Sequence, residues 1–137
     1  MKTTEMSCLC GAVKVRIQGE PVEQFYCHCD DCQAASGGPY VAVAIYPKDE
    51  VMVQGELETL TIRTMPRKWC PRCGTRMIGE VVAFDQRGVN AFLLPAGAFS
   101  PQFHIQCRYA VAPVDDGLPH FKSFPAKFGG SDETVDW

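Results

Sequence analysis

Residues 40–46 read YVAVAIY, and this stretch decides the fold class. It is an apolar, aromatic and β-branched run, the composition that fits a pleated surface and suits a central strand. Upstream, Ala12 to Ile17 alternates, with Val13, Val15 and Ile17 on one face and Lys14 and Arg16 on the other. Downstream, Thr59 to Thr64 alternates with Leu60 and Ile62 directed inward, and Met77 to Val82 and Ala91 to Leu94 read as further strands. Gly and Pro break these runs. Only one helix signal stands out, at Asp30 to Ala35, with an Asp able to cap it and Ser36-Gly37-Gly38 to stop it after one or two turns. Regular short strands with turn signals between them predict an all-β domain of packed or twisted sheets.

The 137 residues suit one domain over 1–137, and 46% apolar content is that of a globular chain. The stretch GGSDETVDW from residue 129 reads as a loose polar tail in which Trp137 can dock. A net charge of -3 offers no field for phosphate backbones, which argues against a nucleic-acid partner. No run approaches the length needed to cross a bilayer, and the opening MKTTEMSCLC has no apolar segment of signal length. A cytoplasmic protein is therefore the expectation. Thiols stay reduced there, so eight cysteines point to metal binding or catalysis.

Seven of the eight cysteines fall in three clusters, CLC at 8–10, CHCDDC at 27–32 and CPRC at 70–73. In an extended segment Cys8 and Cys10 point to one side and Leu9 to the other. Pro71 presets a turn after Cys70, and Gly74 can take the positive φ required after Cys73. Two such pairs on separate hairpins can close a tetrahedral four-thiolate zinc site, which would contribute directly to folding. Cys27, Cys29 and Cys32 offer three thiolates and no fourth cysteine nearby. Three protein ligands and one open position form the pattern of catalytic zinc. Disulfides, a redox pair at Cys29 and Cys32, and structural zinc at both sites are the alternatives these residues leave open.

The order CLCGAV, CHCDDCQAASGG, RKWCPRCGTRM, PQFHI and DDGLPHF resembles the glutathione-dependent formaldehyde-activating enzyme family, also called the centromere protein V family. The resemblance runs from Ser7 to about Phe121. It implies twisted antiparallel sheets shared with B-type methionine sulfoxide reductases. It implies a structural zinc on Cys8, Cys10, Cys70 and Cys73, and a catalytic zinc, open to loss, on Cys27, Cys29 and Cys32. The implied activity is that of a carbon–sulfur lyase on the adduct of glutathione and formaldehyde, with glutathione or a similar thiol as co-substrate. Relatives commonly carry a tryptophan before DDGLP, where this chain reads QCRYAVAPV. The alternative is a zinc-stabilised β domain that binds a small ligand or protein without turnover.

Three thiolates on one zinc leave a net negative site, and Arg67, Lys68, Arg72 and Arg76 are the candidate compensating cations. His28 lies between two ligands, so it points away from the metal and suits an outer role. Asp30 and Asp31 read as helix caps, His104 as a strand residue with a satisfied ring, and His120 as loop surface. Cys107 reads as a small buried hydrophobe.

Overall fold

The computed structural model describes residues 2–137, and all statements of absence below refer to these residues. In chain order the strands are β1 (Thr3–Ser7), β2 (Lys14–Gln18), β3 (Glu23–Cys27), β4 (Val41–Pro47), β5 (Val51–Gln54), β6 (Glu58–Ile62), β7 (Met65–Trp69), β8 (Arg76–Val81), β9 (Gln86–Asn90) and β10 (Phe103–Ile105). The one α-helix, α1, spans Asp30–Ser36, and the rest of the helical content is three-residue 3-10 turns. The mostly-β expectation holds.

Two compact units share the chain. The first holds residues up to Glu23 and Ala44–Phe99, and the second holds Gln24–Val43 and Ser100–Trp137. In the first unit β1, β2 and β5 form an antiparallel sheet, with Ser7 opposite Lys14 and Ile17 opposite Val51. The alternation read in 12–17 is real: Val13, Val15 and Ile17 are buried, and Lys14 and Arg16 are exposed. A second antiparallel series runs β9, β8, β7, β6. Met77, Ile78 and Val89 form its fully buried centre. Gly55, at φ +111°, must stay glycine, because a Cβ there would run into the Ala12 carbonyl oxygen.

Two details of the strand reading fail, although β6 is a strand as expected. Leu60 is 58% exposed, because β6 ends its sheet and nothing covers that face. Residues 91–93 form a 3-10 turn, and the strand of this region is β9. The Asn90 side chain accepts the Phe92 N–H at 3.1 Å, a local bond that caps the turn and ends the strand.

The second unit pairs β10 with β3 in parallel, Phe103 beside Phe25 and Ile105 beside Cys27. This pair is the parallel exception to the antiparallel sheets expected. The unit's core is aromatic: the Phe25 and Phe103 rings stack at 5.6 Å, and Phe121 meets Phe103 edge-on at 5.7 Å. β4 carries the chain from the second unit into the first and is buried from Val41 to Tyr46, as a central strand should be. The stretch expected to be a loose tail is tied down. Lys122 N–H donates to Glu133 O at 2.8 Å, and Val135 N–H donates to His120 O at 2.9 Å. No helix is long and apolar enough to cross a membrane.

Candidate metal centres

Two turns of the first unit carry cysteine pairs. Cys8 and Cys10 sit in the β1–β2 connection, where Cys8 N–H donates to Val13 O (3.0 Å) and Gly11 N–H donates to Cys8 O (3.1 Å). Cys70 and Cys73 sit in the β7–β8 connection, closed by Gly74 N–H to Cys70 O (2.9 Å) and Cys70 N–H to Thr75 O (2.9 Å). Gly74 takes φ +76°, the left-handed value expected of it. Leu9 is 90% exposed, directed away from the two cysteines that flank it. The four sulfurs lie within 4.8 Å of one another.

The spacing fits a tetrahedral ion. Zn–S bonds of about 2.3 Å imply S···S edges of about 3.8 Å. Cys8 and Cys10 are 3.6 Å apart, and Cys10 and Cys70 are 3.8 Å apart. Val13 N–H donates to Cys8 Sγ at 3.2 Å, a bond that favours a thiolate. The Thr75 hydroxyl, 3.0 Å from Cys73 Sγ, and nearby backbone donors hold the Cys73 thiol down to about 5. A ready thiolate is a first handhold for a cation.

The second unit carries the other cluster. Cys27 ends β3, Cys29 is the N-cap of α1, and Cys32 lies in its first turn. The capping differs from the expectation of an aspartate. Cys29 Sγ accepts the Cys32 N–H at 3.2 Å, while Asp30 Oδ1 accepts the Asp31 N–H at 3.0 Å. Gly37 ends the helix at φ +74°, its N–H donating to Gln33 O at 2.9 Å. The three sulfurs lie within 4.8 Å of one another, and no fourth Cys, His, Asp or Glu joins them. Cys29 Sγ donates to Cys32 Sγ at 2.7 Å, and all eight cysteines are free thiols.

Crowding sets their chemistry. Hydrogen bonds that Cys27 donates to Cys29 and Cys32, together with burial, push the Cys27 thiol well above its ordinary value. Cys27 favours a Cys29 thiolate, but Cys32 and burial outweigh it, so Cys29 also rises. Three anions cannot share this space without a cation. A donor set of three soft sulfurs suits zinc, and metal would have to displace protons to bind.

Behind the cluster lies a buried polar chain that the sequence did not announce. His28 Nε2 is 2.8 Å from His104 Nδ1, and His104 Nε2 is 2.7 Å from Asp116 Oδ2. Both rings are fully buried. Burial works against the Asp116 carboxylate, but the His104 hydrogen bond and the Leu118 N–H hold it below the ordinary value. Burial, and then the neighbouring histidines, press the His28 ring from 6.5 to about 4, so it is neutral at pH 7. One proton order then satisfies the chain: His28 Nε2–H donates to His104, and His104 Nε2–H donates to Asp116. His120 is not loop surface. Its side chain is 14% exposed, and Trp137 stacks on it at 4.1 Å. Trp137 also meets the His28 and His104 rings edge-on, at 5.1 Å and 5.4 Å.

A pH dependence follows from the His28 ring. His28 titrates lower when folded, so the unfolded chain binds more protons between pH 6.5 and about 4. Stability is full above 6.5 and is lost as pH falls toward 4, by roughly 2 kcal/mol once partial screening is allowed for. Ring-proton NMR of zinc-saturated protein should show the His28 ring still neutral at pH 5. A ring already charged at pH 5 would count against a neutral, buried His28.

The other candidates resolve simply. Burial pushes the Cys107 thiol up to about 12, so it packs and does not react. Arg67, Lys68, Arg72 and Arg76 all belong to the first unit. Lys68 pairs with Glu80 at 3.3 Å, and Arg72 is exposed in the Cys70–Cys73 turn.

The profile of the glutathione-dependent formaldehyde-activating enzyme family matches residues 3–112. The chain belongs to this family. Two relatives, from Aspergillus flavus and Aspergillus oryzae, carry that enzyme name as a provisional one, and each is 29% identical over 80 residues. The match covers 54% of this chain and 42% of each relative, so it spans less than half of their length. A crystal structure of a Rhodobacter sphaeroides protein superposes with TM-score 0.56 at 20% identity, covering 67% of this chain and 88% of that one, which shows a shared fold. The family match contains all seven clustered cysteines, whereas Asp116, His120 and Trp137 lie beyond it.

Proposed function

We propose that this protein is a zinc-dependent enzyme of the carbon–sulfur lyase type, acting on the adduct of a small thiol and an aldehyde such as S-hydroxymethylglutathione. Membership in the glutathione-dependent formaldehyde-activating family supports the substrate class. The observation that carries the reading is the convergence of three sulfurs without a fourth protein ligand. Cys8, Cys10, Cys70 and Cys73 would hold a closed structural zinc, and Cys27, Cys29 and Cys32 a catalytic one. The chemistry a bound zinc supplies is Lewis acidity that keeps a thiol deprotonated near neutral pH.

The protein's own part is placement. β3 and the first turn of α1 fix the three sulfurs on one side, and the His28 ring turns to the other. In the cleavage direction the carbon–sulfur bond breaks, the sulfur keeps the electron pair, and the hydroxyl proton leaves as the aldehyde forms. Synthesis is the reverse. Eight free thiols suit a reducing compartment, so we place the protein in the cytoplasm.

Exchange NMR on glutathione and formaldehyde tests this. Zinc-loaded protein should accelerate adduct interconversion above the spontaneous rate, and the adduct should raise the melting temperature. No acceleration and no thermal shift with glutathione or its adduct would remove this reading.

A further inference from the structure

We propose that His104 and Asp116 are positioning residues of the Cys27–Cys29–Cys32 centre, acting through the ring of His28. The inference rests on the reading that those three sulfurs hold a metal. His28 sits between two of them, and its backbone is pinned on both sides. Its N–H donates to Ile105 O at 3.0 Å, and its carbonyl accepts Gln33 Nε2 at 2.9 Å. The same Gln33 amide reaches Tyr109 O at 2.9 Å. Side chains alternate in an extended segment, so turning the His28 ring one way turns Cys27 and Cys29 the other.

That ring has a single polar tether. Its Nδ1 is buried without a hydrogen-bond partner, and its Nε2 meets His104. His104 cannot swing, because β10 pairs with β3 and both ring nitrogens are engaged. Asp116 is fixed in turn by the Leu118 N–H at 3.1 Å. Trp137 packs on all three histidines, and the His28 and His104 rings are fully buried. A hydrogen bond between two buried rings is electrostatically strong, and removing one partner strands the other.

Cobalt(II) titration tests this, since thiolate-to-cobalt charge-transfer bands report metal at sulfur and chelator competition gives each affinity. Wild type should bind two equivalents, one tight and one weaker, and Cys32→Ser should lose the weaker. His104→Ala should keep the tight site unchanged and weaken the second by roughly 10–100-fold, the usual effect of removing an outer-shell partner. Asp116→Asn, which still accepts a hydrogen bond, should fall in between, and Lys122→Ala, on the exposed surface, should match wild type. Unchanged second-site affinity in both His104→Ala and Asp116→Asn would overturn the proposal while leaving the metal reading intact. Parallel weakening of both sites with a lower melting temperature would assign His104 to general stability and overturn it too. A third cobalt in wild type, lost in His104→Ala, would make His104, Asp116 and His120 ligands themselves. Failure of the metal reading is distinct: one cobalt in wild type and the same one in Cys32→Ser.

Discussion

Cys70→Ser is expected to yield insoluble or molten protein with no cooperative melt. Cys70 is 1% exposed and lies 3.8 Å from Cys10, a residue 60 positions earlier in the chain. Its backbone also closes the turn that carries Cys73. A zinc held by these four thiolates would join the β1–β2 and β7–β8 hairpins at their tips. Structural zinc binding is worth about 10–16 kcal/mol in small zinc domains, comparable with the whole stability of an ordinary domain. Losing one thiolate forfeits much of that and leaves three crowded thiols at the turn. Circular dichroism with thermal melting and zinc counting checks it. A soluble Cys70→Ser protein that melts cooperatively near the wild-type temperature would refute a structural metal at these four residues.

Cys32→Ser should behave in the opposite way, folded but inactive. Cys32 is buried in the first turn of α1, and serine preserves its size and its N–H bond to Cys29. Serine does not supply a thiolate at neutral pH, so the three-sulfur group drops to two donors. The variant should retain one tight zinc per chain, lose the second, and keep a cooperative melt. Adduct interconversion should fall to the uncatalysed rate, because no metal remains to hold the thiol deprotonated. Retained activity with one zinc per chain would move the chemistry away from this cluster. The contrast between the two variants is the signature of one closed and one open centre.

Local sequence determined a good deal. Gly74 and Pro71 dictate a turn, Leu9 between two cysteines dictates alternation, and both pairs land on hairpin tips as read. The strands at 14–18 and 41–47 follow from β-branched residues, whose preference for an extended backbone acts within a few residues. Leu60 and the 91–94 run differ from the sequence reading for two separate reasons. An apolar residue shows its preference but not whether anything is there to cover it, and Asn90 reshaped its own strand end with a side-chain bond.

The cysteine clusters carried their chemistry within short spacings, so the sequence alone nominated both metal centres. The parallel pairing of β10 with β3, and the chain of His28, His104 and Asp116 capped by Trp137, belong to the tertiary structure. Those residues come from four separated places in the chain. No spacing rule links them, and His120 and Trp137 read individually as surface and tail. Contact between them exists only once the fold has paired β10 with β3, and that pairing gives a histidine between two cysteines a fixed direction.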